Sequence, residues 1–127
     1  MRKITTLLFF VLMVSFTARS YNFMVDGIAY NINSDGKSVT VTMSYGSYSG
    51  SVTIPATVTY SGTTYSVTEI GGSAFQGCSG LTSVTIPNSV TSIGSNAFSG
   101  CSGITEVNIS LKDNAVFVKD LLRTDIY

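Results

Sequence analysis

The side chains best equipped for chemistry in this chain are seven carboxylates and two cysteines, and neither set is spaced for catalysis. Histidine is absent, which removes Ser-His-Asp and Cys-His nucleophiles and the usual zinc ligand sets. Asp26 and Asp35 each precede a glycine, as turn residues do, and Asp113, Asp120 and Asp125 fall near the C-terminus. Only Glu69 and Glu106 remain as the acid and base that a polysaccharide-cleaving enzyme would need. Their spacing gives them no reason to meet, and both read as solvated surface groups. Cys78 and Cys101 have no basic neighbour to hold a reactive thiolate. The expectation is a protein without catalytic residues, cofactor or metal, whose polar side chains work by presenting surface.

The spacing of the two cysteines belongs to a longer pattern. Residues 70–86 read Ile-Gly-Gly-Ser-Ala-Phe-Gln-Gly-Cys-Ser-Gly-Leu-Thr-Ser-Val-Thr-Ile, and 93–109 read Ile-Gly-Ser-Asn-Ala-Phe-Ser-Gly-Cys-Ser-Gly-Ile-Thr-Glu-Val-Asn-Ile, 23 residues later. Ile70, Ala74, Phe75, Cys78, Leu81, Val84 and Ile86 are matched by Ile93, Ala97, Phe98, Cys101, Ile104, Val107 and Ile109, while the sites between them drift among polar types. The matched sites are core columns. A repeat of this length predicts a solenoid whose rungs bury their apolar edge only against a neighbour. Alternation at Val84-Thr85-Ile86 and Val107-Asn108-Ile109 predicts a short strand in each rung with one face buried. Gly-Cys-Ser-Gly, at 77–80 and 100–103, supplies the tight return before it. Stacked in this way, the cysteine α-carbons would lie roughly 5 Å apart, within a disulfide's span, but with parallel side chains where a disulfide needs converging ones. Disulfide and free thiols both stay open.

This unit, Ile-Gly-x-x-Ala-Phe-x-x-Cys-x-x-Leu-x-x-Val-x-Ile-Pro, resembles the BspA-like leucine-rich repeat of bacterial cell-surface and secreted proteins. Residues 70–87 match throughout, 93–109 match with Ile104 in place of Leu, and Ser51-Val-Thr-Ile-Pro55 matches the strand portion. After Ile109 the expected proline is Ser110. The resemblance implies a mainly β fold, a short leucine-rich-repeat solenoid, with a cysteine column that packs as two free buried thiols. It also implies adhesion, through protein or glycan ligands on host matrix, host cells or other bacteria. One alternative is a truncated repeat fragment with a structural role or no autonomous function; the other is a polysaccharide-acting enzyme.

Four segments follow along the chain. Arg2 and Lys3, the apolar run from Ile4 to Phe16, and small Ala18 and Ser20 predict a secretory signal over 1–20, with Tyr21 first in the mature chain. The run is short for a membrane span, and a retained anchor is the alternative. Residues 21–50 predict an N-terminal β-hairpin cap, and 51–110 the repeats. Asp26-Gly27 separates strands 23–25 and 28–32, Asp35-Gly36 separates the latter from 38–43, each Asp-Gly favouring a two-residue turn, and Ser61-Gly62 joins 57–60 to 63–67, setting Val58 opposite Tyr65. The tail, 111–127, is either a second cap, with Val118, Leu121, Leu122 and Ile126 on one helical face, or the end of a truncated array. Without cover, the last rung would expose Phe98, Ile104 and Ile109.

Once the signal is removed, four basic residues (Lys37, Lys112, Lys119, Arg123) stand against seven acidic ones, a net charge of −3. That balance excludes a basic nucleic-acid surface, and signal cleavage leaves no membrane span. Glu69 is the only charge between Lys37 and Glu106. The expected binding face is therefore nearly uncharged. Ser51, Thr53, Ser83, Thr85, Glu106 and Asn108 alternate with the core columns and would form one polar ladder across successive rungs, open to an extended partner. Tyr45, Tyr48, Tyr60 and Tyr65 either offer aromatic area to a protein or sugar or pack against the first rung. The expected location is secreted or at the bacterial cell surface.

Overall fold

Two of the turns anticipated from the sequence form as left-handed pairs, and they set the hairpins. In the computed structural model, which describes residues 21–44 and 47–110, Asp26 and Gly27 take φ of 49° and 83°, and Ser61 and Gly62 take 52° and 84°. This is the type I′ geometry, whose twist matches that of the flanking strands. The signal segment at 1–20, Tyr45 and the tail at 111–127 lie outside the described residues. Among the described residues the elements are all strands: β1 (Phe23–Val25), β2 (Ile28–Ile32), β3 (Ser38–Thr42), β4 (Gly50–Thr53), β5 (Thr57–Tyr60), β6 (Thr63–Ile70), β7 (Leu81–Ile86), β8 (Ser92–Ile93) and β9 (Glu106–Ile109).

They assemble into two sheets. The first runs β1-β2-β3-β6-β5, with β8 beside β6; the second runs β4-β7-β9 and is parallel throughout. The long β6 pairs with three other strands. Its first residues pair antiparallel with β5, with Val58 opposite Tyr65, while Glu69 and Ile70 at its end pair parallel with Ser92 and Ile93. From Ser66 to Ile70 it also runs parallel to β3. The 23-residue period is visible in both sheets, as Ile70 on Ile93 and as Val84 on Val107. The preceding step is irregular, with Val41 stacked on Ile70 and Ser51 on Ser83, because the β5–β6 hairpin is inserted into that turn of the coil.

Apolar columns run through the rungs, including Val41–Ile70–Ile93 and Val52–Val84–Val107. An aromatic stack fills the centre. Phe75 lies 5.0 Å from Phe98 with the rings 3° from parallel, and Tyr48 lies 4.7 Å from Phe75 on the other side. All three rings are buried. Tyr48 has a second task, since its hydroxyl accepts from Ala29 N at 3.0 Å and donates to Thr42 O at 2.7 Å. It thereby bridges the paired residues Ala29 and Thr42, so the first aromatic of the stack also fastens β2 to β3. At the far end Phe98 is buried, while Ile104, Val107 and Ile109 are half-buried.

Backbone contacts between rungs continue outside the strands. Ser73 N, Phe75 N and Gly77 N donate to Ser95 O, Ala97 O and Ser99 O at 3.0, 2.8 and 2.7 Å. Such close approach leaves no room for a side chain at Gly94, where a Cβ would fall on the Gly72 nitrogen and lie 2.7 Å from its Cα. Truncating a buried phenylalanine typically costs ~3–5 kcal/mol, and Phe75 touches aromatic neighbours on both faces. Phe75→Ala should therefore remove the cooperative thermal transition seen by circular dichroism; a melting curve like that of the wild type would show that the stack does not hold the rungs.

Candidate binding face

The parallel sheet β4-β7-β9 places the six polar ladder residues in two straight columns. Ser51, Ser83 and Glu106 pair in one, and Thr53, Thr85 and Asn108 in the other. This register follows from burial: in each strand the intervening valine faces the core, and period-two alternation turns its neighbours outward. Ser51, Thr53, Glu106 and Asn108 are exposed, whereas Ser83 and Thr85, on the central strand, are half-buried. The Ser51 and Ser83 hydroxyls lie 2.7 Å apart and hydrogen-bond each other. Glu106 brings the only formal charge to either column. The surface is thus a short array of hydroxyl, amide and carboxylate groups able to hydrogen-bond an extended ligand.

Other chemistry-bearing residues are committed elsewhere. Glu69 sits on the first sheet and Glu106 on the second. Among the described residues no three His, Cys, Asp or Glu side chains gather to hold a metal ion. Glu69 borders a polar cleft of about 610 Å³ with Asn33, Asp35, Lys37, Ser38 and Thr68. Hydrogen bonds within the protein brace this cleft: Asn33 Nδ2 donates to Ser38 Oγ at 2.7 Å, and Thr40 Oγ1 contacts Asn33 Oδ1 at 2.6 Å and Glu69 Oε1 at 3.1 Å. Asp35 accepts from the backbone N–H of Lys37 and Ser38 at 2.8 and 2.9 Å, which holds its carboxyl below the usual range.

The tyrosines divide between the two expectations. Tyr48 and Tyr65 are buried in the core, whereas Tyr60 is 44% exposed and stacks on Phe23 with ring centres 4.3 Å apart. The cysteines are free and buried. Their column does more than fill space, because Cys101 Sγ donates to Phe75 O of the preceding rung at 3.0 Å. Sequence reasoning missed this bond and the role of Tyr48. Nothing in the repeat pattern signals either, since the first rung has a shorter return and lacks the Ala-Phe and Cys positions.

The class of protein is defined by this fold and by the comparisons together. The chain belongs to the BspA-type leucine-rich-repeat family, whose model, described as "BspA type Leucine rich repeat region (6 copies)", matches residues 50–117. Among solved structures, it is similar to a leucine rich cell surface protein from Faecalibacterium prausnitzii, with 35% identity and a TM-score of 0.61 over 77% of this chain and 25% of that one. It is also similar to leucine-rich repeat proteins from Bacteroides ovatus (38%, TM-score 0.62, 72% of this chain and 25% of that) and Bacteroides capillosus (36%, TM-score 0.61, 72% and 67%). The chain thus spans a quarter of the length of the first two. No curated protein matches it.

Burial pushes the Cys101 thiol above its ordinary range, with the nearby Cys78 adding to the effect, so the reactive thiolate is scarce at neutral pH. A thiol reagent at neutral pH should modify the two cysteines only after denaturation, and reductant should leave the melting temperature unchanged. A reductant-induced fall in melting temperature would establish a disulfide instead.

Proposed function

We propose that this chain is a secreted or cell-surface, non-enzymatic binding protein that adheres through its repeat solenoid to protein or glycan ligands on host matrix, host cells or other bacteria. The observation that carries the proposal is the pair of polar columns, Ser51–Ser83–Glu106 and Thr53–Thr85–Asn108, held in register on one parallel sheet. Solenoids use such stacked faces to hold extended partners, because each rung adds an equivalent contact. Family membership supports a repeat-mediated binding role, and similarity to a protein described as a cell surface protein supports the location. Arg2, Lys3 and the apolar run after them supply the export address.

A direct test places charge at the centre of the face. Thr85 and Asn108 are register partners on adjacent strands, so Thr85→Lys with Asn108→Lys sets two like charges about 4.8 Å apart on a nearly neutral surface. The double variant should keep the wild-type circular dichroism and bind its ligand, selected from an array of matrix proteins and glycans, about tenfold or more weakly. Undiminished binding would mean that the columns are only a solvated strand face.

A further inference from the structure

The two ends of the first sheet approach each other without pairing. β1 and β5 are its terminal strands, and the sheet curls until Phe23 of β1 stacks on Tyr60 of β5 with the rings 2° from parallel. Beyond that contact, toward Val25 and Thr57, lies a cleft of about 390 Å³. Its apolar walls include Val25, Ile28 and Val58, and Asp26 stands at the turn beside them. Thr53, the first residue of one ladder column, also borders it.

Tyr30 lines this cleft and is 1% exposed, yet its hydroxyl makes no hydrogen bond to any described residue. The hydroxyl keeps contact with the cleft surface, because Ser89 Oγ is the one fully enclosed side-chain oxygen without a bond among the described residues, so a guest in the cleft can reach it. Burial, with Tyr48 and Asp26 nearby, pushes the Tyr30 pKa up to about 12, so at neutral pH it is a neutral group able to accept a hydrogen bond from a cation. No cationic side chain lines the cleft. Asp26 is the one charged side chain lining the cleft, so the local field favours a positive guest. Edge geometry adds a backbone element. The two-residue turn makes Tyr60–Thr63 and Val58–Tyr65 the hydrogen-bonded pairs of the β5–β6 hairpin, and alternation turns the peptide groups of Thr57 and Thr59 away from β6.

We infer that this cleft is a docking site for an extended segment of a partner protein, which lies along the free edge of β5 and inserts a lysine side chain between β1 and β5. The four methylenes of the lysine run along Val25, Ile28 and Val58, and its ammonium donates to the Asp26 carboxylate and the Tyr30 hydroxyl. Extended peptides commonly join an exposed sheet edge in this manner, with side-chain pockets setting specificity. The site stands apart from the ladder residues Thr85 and Asn108, so either proposal can fail without the other.

The test is a fluorescence-anisotropy titration of the purified protein with acetyl-Thr-Val-Lys-Val-Thr-amide carrying a terminal dye, beside the same peptide with norleucine for lysine. The lysine peptide should bind about tenfold or more tightly than the norleucine peptide, with an advantage that shrinks as salt rises. Asp26→Asn should abolish that difference while preserving the fold, because asparagine also tolerates the left-handed turn position. Tyr30→Phe should weaken the lysine peptide by a smaller factor without lowering the melting temperature, since no bond within the protein is lost. Absence of binding, equal affinity for the two peptides, or a lysine preference that survives Asp26→Asn would overturn the inference. A drop in melting temperature for Tyr30→Phe would remove the hydroxyl from it.

Discussion

No rung of this protein can bury its own apolar face, and the column Tyr48–Phe75–Phe98 is how three successive rungs solve that together. A strand and its return turn are two-sided objects with one apolar side; stacking a neighbour converts that exposed edge into an interior. Phe75 has a ring on each side, and Tyr48 ties the stack to β2 and β3 through its hydroxyl. Aromatic pairs in tilted or offset contact add about 0.5–1.5 kcal/mol beyond their buried area, a large fraction of what a small domain has to spare. The inter-rung hydrogen bonds from Ser73, Phe75 and Gly77, and the thiol of Cys101 on Phe75 O, follow from the same stacking distance.

The outward face is a consequence of that interior. Once Val52, Val84 and Val107 face inward in register, Thr53, Thr85 and Asn108 must also align, and a slip of one residue would bring a hydroxyl or amide into the core. The ladder would therefore exist whether or not it binds anything, which is why function must be sought by inserting charge on that face. The seam between β1 and β5 is different in kind: there Asp26 and Tyr30 line a cleft that no strand alternation dictates.

Much of this was legible in the chain. Asp26-Gly27 and Ser61-Gly62 announced two-residue hairpins because few other pairs accept two left-handed residues in succession, and that turn length by itself sets Val58 against Tyr65. The repeated apolar sites announced the columns, including the alignment of the six ladder residues. What escaped was the first rung. Val39, Val41 and Tyr48 occupy core positions, but the return between β3 and β4 is shorter and a hairpin is inserted before β6, so the period is broken where it would have identified them. The Tyr30 cleft was equally illegible, since β1 and β5 come together only through the curl of the whole sheet.

The central claim is that β2, β3 and the rungs that follow form one cooperative unit through the aromatic column, and native-state hydrogen exchange tests it most directly. The informative amides are Ala29, bonded to the Tyr48 hydroxyl, Gly71, bonded to Val41 O, and Phe75, bonded to Ala97 O. If the column couples β2 and β3 to the later rungs, these three amides should exchange through a single opening whose free energy equals that of global unfolding. Exchange of Ala29 through a separate, lower-energy opening, with Phe75 still protected, would contradict the account.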